Sequence, residues 1–312
     1  MSFASTAIQV LLLMAYAVPG FLFVKCKTLN ASHIAPFSKV LVYFCQPCLQ
    51  LYAFQTATCS ASLLREMGLF FVFCTAVEAL VLIAAILLIP GKGEARRRVC
   101  SVACVLGNVG FIGIPLLQAL LPEDVRASGV ALSAIFSLSM NLLGWTCGLY
   151  RMTGERKHIK LKALLTNPAI LAFYVAFPLF LLGIKLPAAI ASTVELAGRM
   201  STPLCMIALG MRLASTPFGR IITDKYAWLA CAGKLVAMPL LSLLAVSFFP
   251  VPDYFKATLF LLCCCPTASA VQNFSEIYLP DTEVEGKNTA ADSILLSNIL
   301  CMVTIPVLAM LL

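Results

Sequence analysis

The sequence predicts an all-α polytopic membrane protein of about ten transmembrane helices, arranged as two inverted repeats of five helices. Three observations support this fold class: the composition, the number of apolar segments and a repeated pattern of prolines. Of the 312 residues, 61% are hydrophobic and 12% are charged. A soluble domain has about 25% charged residues. We therefore expect one transmembrane domain over 1–312, with no separate soluble module.

Ten apolar segments account for almost the whole chain. A transmembrane helix needs about 20 mainly apolar residues, and each segment is close to that length. In chain order, segments 1 to 10 cover about 5–24, 34–56, 69–89, 99–121, 127–150, 168–184, 188–213, 226–249, 255–279 and 290–312.

Positive charges are concentrated in the loops that follow odd-numbered segments. These loops contain Lys25, Lys27, Lys92, Arg96, Arg97, Arg98, Arg151, Arg156, Lys157, Lys160, Lys162, Arg212, Arg220, Lys225 and Lys287. Loops after even-numbered segments contain only Arg65, Arg126, Lys185 and Lys256. The positive-inside rule then places the odd loops in the cytoplasm and both chain termini outside. The net charge of +8 thus sets topology in the lipid bilayer and does not predict a nucleic-acid partner.

The prolines indicate an internal repeat. The first-half prolines at 19, 47 and 115 correspond to those at 178, 203 and 266 in the second half. We therefore divide the chain into a first repeat at 1–150, a basic cytoplasmic loop at 151–167 and a second repeat at 168–312. Because five is an odd number of crossings, the second repeat enters the membrane inverted. In inverted-repeat transporters the binding site lies where interrupted helices of the two halves meet.

Segments 4 and 9 are the interrupted segments that this repeat predicts. Segment 4 places three glycines, an asparagine and a proline within 107–115, and these residue types interrupt helices. Segment 9 has a proline and small polar residues at the corresponding position. The alternative for segment 4 is a glycine-rich packing face with a simple proline kink. Taken together, the two segments predict a substrate-binding set of Asn108, Gly110, Gly113, Pro115, Pro266, Thr267, Ser269, Gln272 and Asn273.

Four charged residues within the segments need a role, because a charge at the centre of a membrane helix is costly. Glu195 and Arg199 stand four residues apart on one helix face, which favours a simple ion pair. Glu78 and Lys234 occupy matching positions in the two repeats. They either pair with each other, or Glu78 is a protonatable coupling site. The sequence does not distinguish between these two alternatives. Glu276 and Asp292 are expected to be solvated at cytoplasmic helix ends.

Cysteine and histidine usage gives no indication of a metal site, a cofactor or an enzyme. Most of the fourteen cysteines lie inside apolar segments, where cysteine behaves as a small hydrophobic residue. The pair Cys45 and Cys48 has CxxC spacing but no second pair beside it. His33 and His158 are far apart in or near loops. A nucleophile with an adjacent base is not apparent either, so we expect no catalytic residues.

The motif at 107–117 of segment 4 resembles the segment-four signature of the auxin efflux carrier family, which includes bacterial permeases and is related to the plant PIN auxin exporters. Further similar stretches are 197–213 in segment 7, 234–239 in segment 8, and 265–268 with 293–306 in segments 9 and 10. The resemblance implies a scaffold domain and a transport domain, with helices 4 and 9 crossing at Pro115 and Pro266. It also implies that Asn108 contacts a substrate carboxylate, and that the protein forms a homodimer.

The sequence and the resemblance together predict a secondary active transporter of a small organic anion, such as a mono- or dicarboxylate. Asn108 and the free amides of half-helix N-termini would bind the anion, since such N-termini carry about half a positive charge. An interhelical hydrogen bond is the alternative role for Asn108. The alternative function is a membrane-embedded lipid or sterol sensor. The short loops are typical of a permease of the bacterial inner membrane.

Overall fold

Helices occupy all ten predicted segments. The computed structural model describes residues 3–90, 94–159 and 161–312. Lys92 and Lys160, two of the loop cations counted above, lie outside the described residues. The described residues contain no β-strand, and their one isolated antiparallel bridge joins Gly107 to Thr267. The all-α prediction is therefore confirmed for this part of the chain.

The helices of the first half follow the predicted order. Segment 1 contains Phe3–Ala15 and Ala17–Lys25, and segment 2 contains Ala31–His33, Ile34–Val40, Leu41–Cys45 and Gln46–Thr56. Segment 3 is the single helix Ala61–Leu88, and segment 4 contains Ala95–Ala103, Val109–Gly113 and Ile114–Leu120. Segment 5 contains Glu123–Leu143, Gly144–Gly148 and Leu149–Thr153.

The second half adds short helices in its loops. The loop before segment 6 contains Arg156–His158 and Leu161–Leu165, and the loop after segment 7 contains Phe218–Thr223. Segment 6 is the helix Pro168–Leu181, and segment 7 contains Ala188–Arg199 and Ser201–Ser215. Segment 8 contains Lys225–Ala232, Gly233–Ala237 and Met238–Ser247. Segment 9 contains Asp253–Cys263 and Ala270–Tyr278, and segment 10 contains Val284–Leu308 and Ala309–Leu311.

Among the described residues, five continuous helical stretches are long and apolar enough to cross a membrane: Phe3–Lys25, Ala61–Leu88, Glu123–Thr153, Lys225–Ser247 and Val284–Leu311. They correspond to segments 1, 3, 5, 8 and 10. Two shorter apolar helices, Val109–Leu120 and Pro168–Leu181, belong to segments 4 and 6. Several helices begin before their apolar segment, because backbone hydrogen bonding and capping continue into polar sequence. Segment 3, for example, begins where the Ser60 hydroxyl accepts a hydrogen bond from the Leu63 amide.

Prolines explain most of the π-helical turns in the described part of the chain. Of these four turns, three end two residues before a proline: Leu41–Cys45, Val109–Gly113 and Gly233–Ala237. Proline has no amide hydrogen and its ring clashes with the carbonyl four residues earlier, so the preceding turn opens. Pro178 differs from its predicted counterpart Pro19, since it lies inside an uninterrupted helix.

The segments pack in pairs that correspond between the two halves. Segment 1 packs on segment 7, and correspondingly segment 6 packs on segment 2. Segment 3 packs on segment 5, and correspondingly segment 8 packs on segment 10. Segment 4 packs on segment 10, and correspondingly segment 9 packs on segment 5. The closest approach is between segments 1 and 7. A Cβ atom added to Gly20 would lie 2.0 Å from the Ile207 carbonyl oxygen, and one added to Gly210 would lie 1.9 Å from that of Ala17. Glycine is needed at both positions because the two backbones touch.

Candidate functional site

The two interrupted segments meet through their backbones. Segment 4 is non-helical between Ala103 and Val109, and segment 9 between Cys263 and Ala270. The Asn108 amide donates to the Pro266 carbonyl at 2.7 Å, and the Ala268 amide donates to the Leu106 carbonyl at 2.9 Å. Each interruption thus satisfies backbone groups of the other, which is required wherever water is absent.

The helix ends that point into this meeting point are capped by side chains. The Thr267 hydroxyl donates to the Ala103 carbonyl at 3.2 Å, and the Lys234 ammonium donates to the Cys263 carbonyl at 2.9 Å. These carbonyls lie at the C-terminal ends of the first half-helices of segments 4 and 9. A cation at a helix C-terminus is favourable because that end carries partial negative charge. Lys234 is fully buried and also donates to the Met238 thioether sulfur at 3.1 Å.

The contact on segment 4 lies earlier than the resemblance implies. The backbone of segment 4 contacts that of segment 9 at Gly107 and Asn108, and Pro115 lies seven residues beyond Asn108, in the first turn of the helix Ile114–Leu120. Pro115 opens the π-helical turn Val109–Gly113, and the non-helical stretch lies before that turn. On segment 9 the contact does include Pro266.

A cavity of about 420 Å³ lies on one side of this meeting point. That volume is in the range of small-molecule sites. Segments 2, 4, 5 and 9 and the start of segment 6 form its walls. Aromatic and amide side chains line it, among them Tyr43, Gln46, Asn141, Trp145 and Phe274. Tyr43 is the one ionisable side chain among the described residues that line it. The large cavity is therefore suited to an uncharged, partly aromatic or apolar group.

A second cavity, of about 40 Å³, adjoins the first. Segments 2, 4, 7, 9 and 10 form its walls. Its polar lining residues are Ser38, Asn108, Cys205, Arg212, Ser269, Asn273 and Asn298. Val42, Asn108, Phe111, Ser269 and Asn273 line both cavities. The small cavity is thus the polar and cationic neighbour of the large one.

Four of the nine predicted binding residues line a cavity: Asn108, Gly110, Ser269 and Asn273. Asn108 and Ser269 precede the second half-helices of segments 4 and 9, and neither side chain caps its own helix. The side-chain amide of Asn108 makes only a long contact, 3.7 Å, to the Cys205 sulfur. Both polar groups are therefore available to a ligand.

The other five predicted residues have structural contacts. Pro115 is in a helix turn, and Pro266 accepts the Asn108 amide hydrogen bond. A Cβ atom on Gly113 would lie 2.7 Å from Leu262, so this glycine permits close packing of segments 4 and 9. Thr267 is fully buried, and its amide donates to the Ser297 hydroxyl at 3.0 Å. Gln272 accepts a hydrogen bond from Arg212.

Sequence reasoning missed Arg212 and Asn298. Arg212 was counted among loop cations, but the helix Ser201–Ser215 continues past it and its side chain lines the small cavity. The limits 188–213 already include Arg212, and a cation inside an apolar segment was the signal that could have found it. Asn298 lies on segment 10, donates to the Ile294 carbonyl at 2.8 Å and has a buried side-chain oxygen without a hydrogen-bond partner.

Glu78 and Lys234 do not form an ion pair with each other. One Glu78 oxygen accepts a hydrogen bond from the Ser139 hydroxyl at 2.7 Å, and the other is buried without a hydrogen-bond partner. Ser139 also contacts the Thr75 hydroxyl at 2.8 Å. Since Lys234 instead donates to a helix carbonyl, Glu78 has no cation in direct contact. The structure thus contains no direct pair of Glu78 and Lys234, and a coupling role for Glu78 stays a prediction.

Glu195 and Arg199 form the predicted ion pair at 2.7 Å, with side chains 40% and 61% exposed. They lie outside both cavities. The pair is therefore a surface feature of segment 7 and not a part of this site.

The prediction that Asp292 is solvated is wrong. Its side chain is 1% exposed, and the Arg220 guanidinium donates to both carboxylate oxygens at 3.0 Å. Arg96 pairs with Asp224 at 2.6 Å, and Thr289 donates to Asp224 at 2.9 Å. We call Arg96, Asp224, Thr289, Arg220 and Asp292 the charged network. The prediction failed because segment 10 begins at Val284, which places Asp292 inside the packed helix. Glu276 is exposed, as predicted.

In the part of the chain that the structure describes, no group of three or more histidine, cysteine, aspartate or glutamate side chains is arranged to hold a metal ion. The site contains amides, hydroxyls, one guanidinium and backbone groups at helix ends. Such groups recognise a ligand by hydrogen bonds and charge.

Comparison with known proteins agrees with this geometry. A family model described as "Membrane transport protein" matches residues 4–163 and 155–309. The chain is also similar to the "Uncharacterized transporter YfdV" of Escherichia coli K12, Escherichia coli O157:H7 and Shigella flexneri, with 28% identity over 161 residues in each case. That alignment covers 49% of this chain, and the chain spans about half, 50%, of the length of these curated relatives. Because the family model matches nearly the whole chain, this protein belongs to the membrane transport protein family.

Proposed function

We propose that this protein is a secondary transporter that moves a small organic anion by alternating access around the meeting point of segments 4 and 9. The observation that carries the proposal is the position of Asn108. Its backbone amide joins the two interruptions, and the residue lines both adjoining cavities. A ligand in either cavity would therefore contact Asn108.

The inverted repeat is part of this proposal. The corresponding packing of segment pairs described above supports it, since exchanging the halves converts each pair into another observed pair. Asn141 and Asn298 give local support. They occupy similar places in segments 5 and 10, and each donates to the carbonyl four residues earlier, at 2.7 and 2.8 Å. An inverted pair of halves can open a site alternately to the two membrane faces.

The position of the cavities along the predicted topology indicates which side of the site is open. Thr166 and Asn167, in the loop assigned to the cytoplasm, line the large cavity, and Ser38 and Arg212, near cytoplasmic helix ends, line the small one. Both cavities thus lie toward the cytoplasmic face. We interpret this as a state open to the cytoplasm, and in the opposite state the site would open to the other face.

Several finer assignments belong to the same proposal. We propose a relation to auxin efflux carriers, a homodimer, a bacterial inner-membrane location, and chain termini on the outer face. The charge distribution of the loops supports the orientation. The packing of segments 1, 2, 6 and 7 on one another supports their assignment as the scaffold around which the other six move.

Uptake by proteoliposomes tests the proposal. Purified protein is reconstituted, and uptake of labelled mono- and dicarboxylates is compared with that of protein-free liposomes and of an Asn108→Ala variant. We expect uptake of at least one carboxylate, lost in the variant. Saturable lipid or sterol binding with no carboxylate uptake would contradict transport and support the sensor alternative.

A further inference from the structure

Arg212 is a half-buried cation whose direct partner is uncharged. Its guanidinium donates to the side-chain oxygen of Gln272. Among the residues that the structure describes, no carboxylate forms a salt bridge with Arg212. Glu276, the acidic residue one turn beyond Gln272, is exposed, and solvent weakens its attraction. A cation that is partly withdrawn from water is ordinarily paired.

Two other arginines near helix ends provide a contrast. Arg96 and Arg220 have carboxylate partners at 2.6 and 3.0 Å. Other arginines with uncharged partners, such as Arg97, line neither cavity. Arg212 lines a cavity together with Asn108 and the unsatisfied Asn298 oxygen. The cation therefore faces a space in place of a carboxylate.

The size of the small cavity limits what can occupy that space. At about 40 Å³, it has room for about three waters, or one carboxylate group. The large cavity adjoins it across Asn108, Phe111, Ser269 and Asn273, and is lined by uncharged groups apart from the Tyr43 phenol, among the described residues. A molecule that occupies both cavities would thus have one anionic group and an uncharged body.

We propose that Arg212 is the charge-recognition residue of the site, and that the cargo is a monocarboxylate. Its carboxylate replaces Gln272 as the Arg212 partner and accepts a hydrogen bond from Asn108, while its body occupies the large cavity. This inference rests on the proposed function and narrows its substrate class. Dicarboxylates are disfavoured, because a second carboxylate would lie in the large cavity without a cation.

Ligand-induced thermal stabilisation of the purified protein tests this assignment. The probes are hexanoate, its uncharged analogue hexanamide, the dicarboxylate adipate, and palmitate as a lipid-derived carboxylate. We expect wild type to be stabilised by hexanoate well above hexanamide and adipate. Arg212→Gln should lose affinity for hexanoate by about tenfold or more, with little change for hexanamide. The matched control Arg199→Gln, on the same segment but outside the cavities, should bind hexanoate as wild type does.

A second variant should strengthen hexanoate binding where Arg212→Gln weakens it. Gln272→Leu removes the internal partner of Arg212, so the anion no longer has to displace it. We expect hexanoate to stabilise this variant more than it stabilises wild type. A merely structural arginine would not produce that gain, and the variant keeps the proposal testable if Arg212→Gln does not fold.

The outcomes separate this inference from the proposed function. Hexanoate binding that is unchanged in Arg212→Gln but lost in Asn108→Ala would overturn the role of Arg212 and leave transport standing. Arg212-dependent binding with no uptake into proteoliposomes would do the reverse. Stabilisation of wild type by adipate or palmitate alone, or by none of the four probes, would overturn the assigned substrate class.

Discussion

Two polar regions of this protein differ in the partners of their charged side chains. In the charged network, Arg220 and Arg96 each contact a carboxylate, and both carboxylates are nearly inaccessible to solvent. Around the meeting point of segments 4 and 9, Arg212, Glu78 and Lys234 contact amide, hydroxyl, thioether or carbonyl groups. The first region has complete ion pairs and the second has none among the residues described.

The difference indicates what each region does. A complete buried pair holds helices together, and removing one member leaves an uncompensated charge. A charge with a neutral partner can exchange that partner for a ligand or a proton at lower cost. We therefore propose that the charged network contributes stability and that the central site serves binding and coupling.

The largest expected effect breaks the charged network. Arg220→Gln would leave the Asp292 carboxylate buried without its cation. We expect the free energy of unfolding to fall by about 3 kcal/mol, measured by chemical or thermal unfolding in detergent. The double variant Arg220→Leu with Asp292→Leu should recover most of the loss, because both charges are removed together. An unfolding midpoint equal to that of wild type in the single variant would show that the pair is not structural.

A smaller change in stability, with a large change in coupling, is expected for Glu78→Gln. Glutamine keeps an oxygen that can accept the Ser139 hydrogen bond, so we expect a stability change of about 1 kcal/mol or less. Stimulation of uptake by an imposed pH gradient should disappear, because the amide cannot carry the proton. Uptake with and without the gradient measures this.

The matched control for coupling is Glu66→Gln on the same helix, whose carboxylate accepts a hydrogen bond from the Tyr254 hydroxyl. Its gradient dependence should equal that of wild type. If Glu78→Gln retained full gradient stimulation, Glu78 would not be the coupling site.

The smallest effect is expected in the loop between segments 5 and 6. The Glu155 carboxylate contacts the Lys157 ammonium at 2.6 Å, and this hydrogen bond holds the pKa of Glu155 below its ordinary value. A lowered folded-state pKa adds stability at neutral pH that is lost as the pH falls through that pKa. Because the group is exposed, solvent and salt screen the contribution.

Glu155→Gln should therefore leave the melting temperature at neutral pH unchanged within error. A loss close to that of Arg220→Gln would mean that exposed loop pairs are as important as the charged network, and the comparison would fail.

The sequence predicted the helical fold and the interruption of segment 4 because both depend on local patterns. Apolar segments of membrane length located the helices. The helix-breaking residues around Asn108 located an interruption, and structure and sequence agree that it faces segment 9. These signals lie within a few residues of what they predict.

The residues that were missed depend on long-range packing. Arg212 is like any other segment-end cation in the sequence, and only the course of its helix beside segment 9 places it at the small cavity. Asp292 appeared to be at a solvated end because hydropathy does not show where a helix begins. Thr267 lies next to the site in sequence, yet its hydroxyl caps Ala103, which is 164 positions away in the chain.

Binding of a carboxylate to the Asn108→Ala variant tests the central claim most directly. Affinity is measured by titration of hexanoate into wild type, into the variant and into Asn288→Ala, which removes an amide that contacts Arg220 at 2.9 Å, outside the site. We predict about tenfold weaker binding in Asn108→Ala with an unchanged melting temperature, and wild-type affinity in Asn288→Ala. Equal affinity of wild type and Asn108→Ala would contradict an anion site at the meeting point of segments 4 and 9.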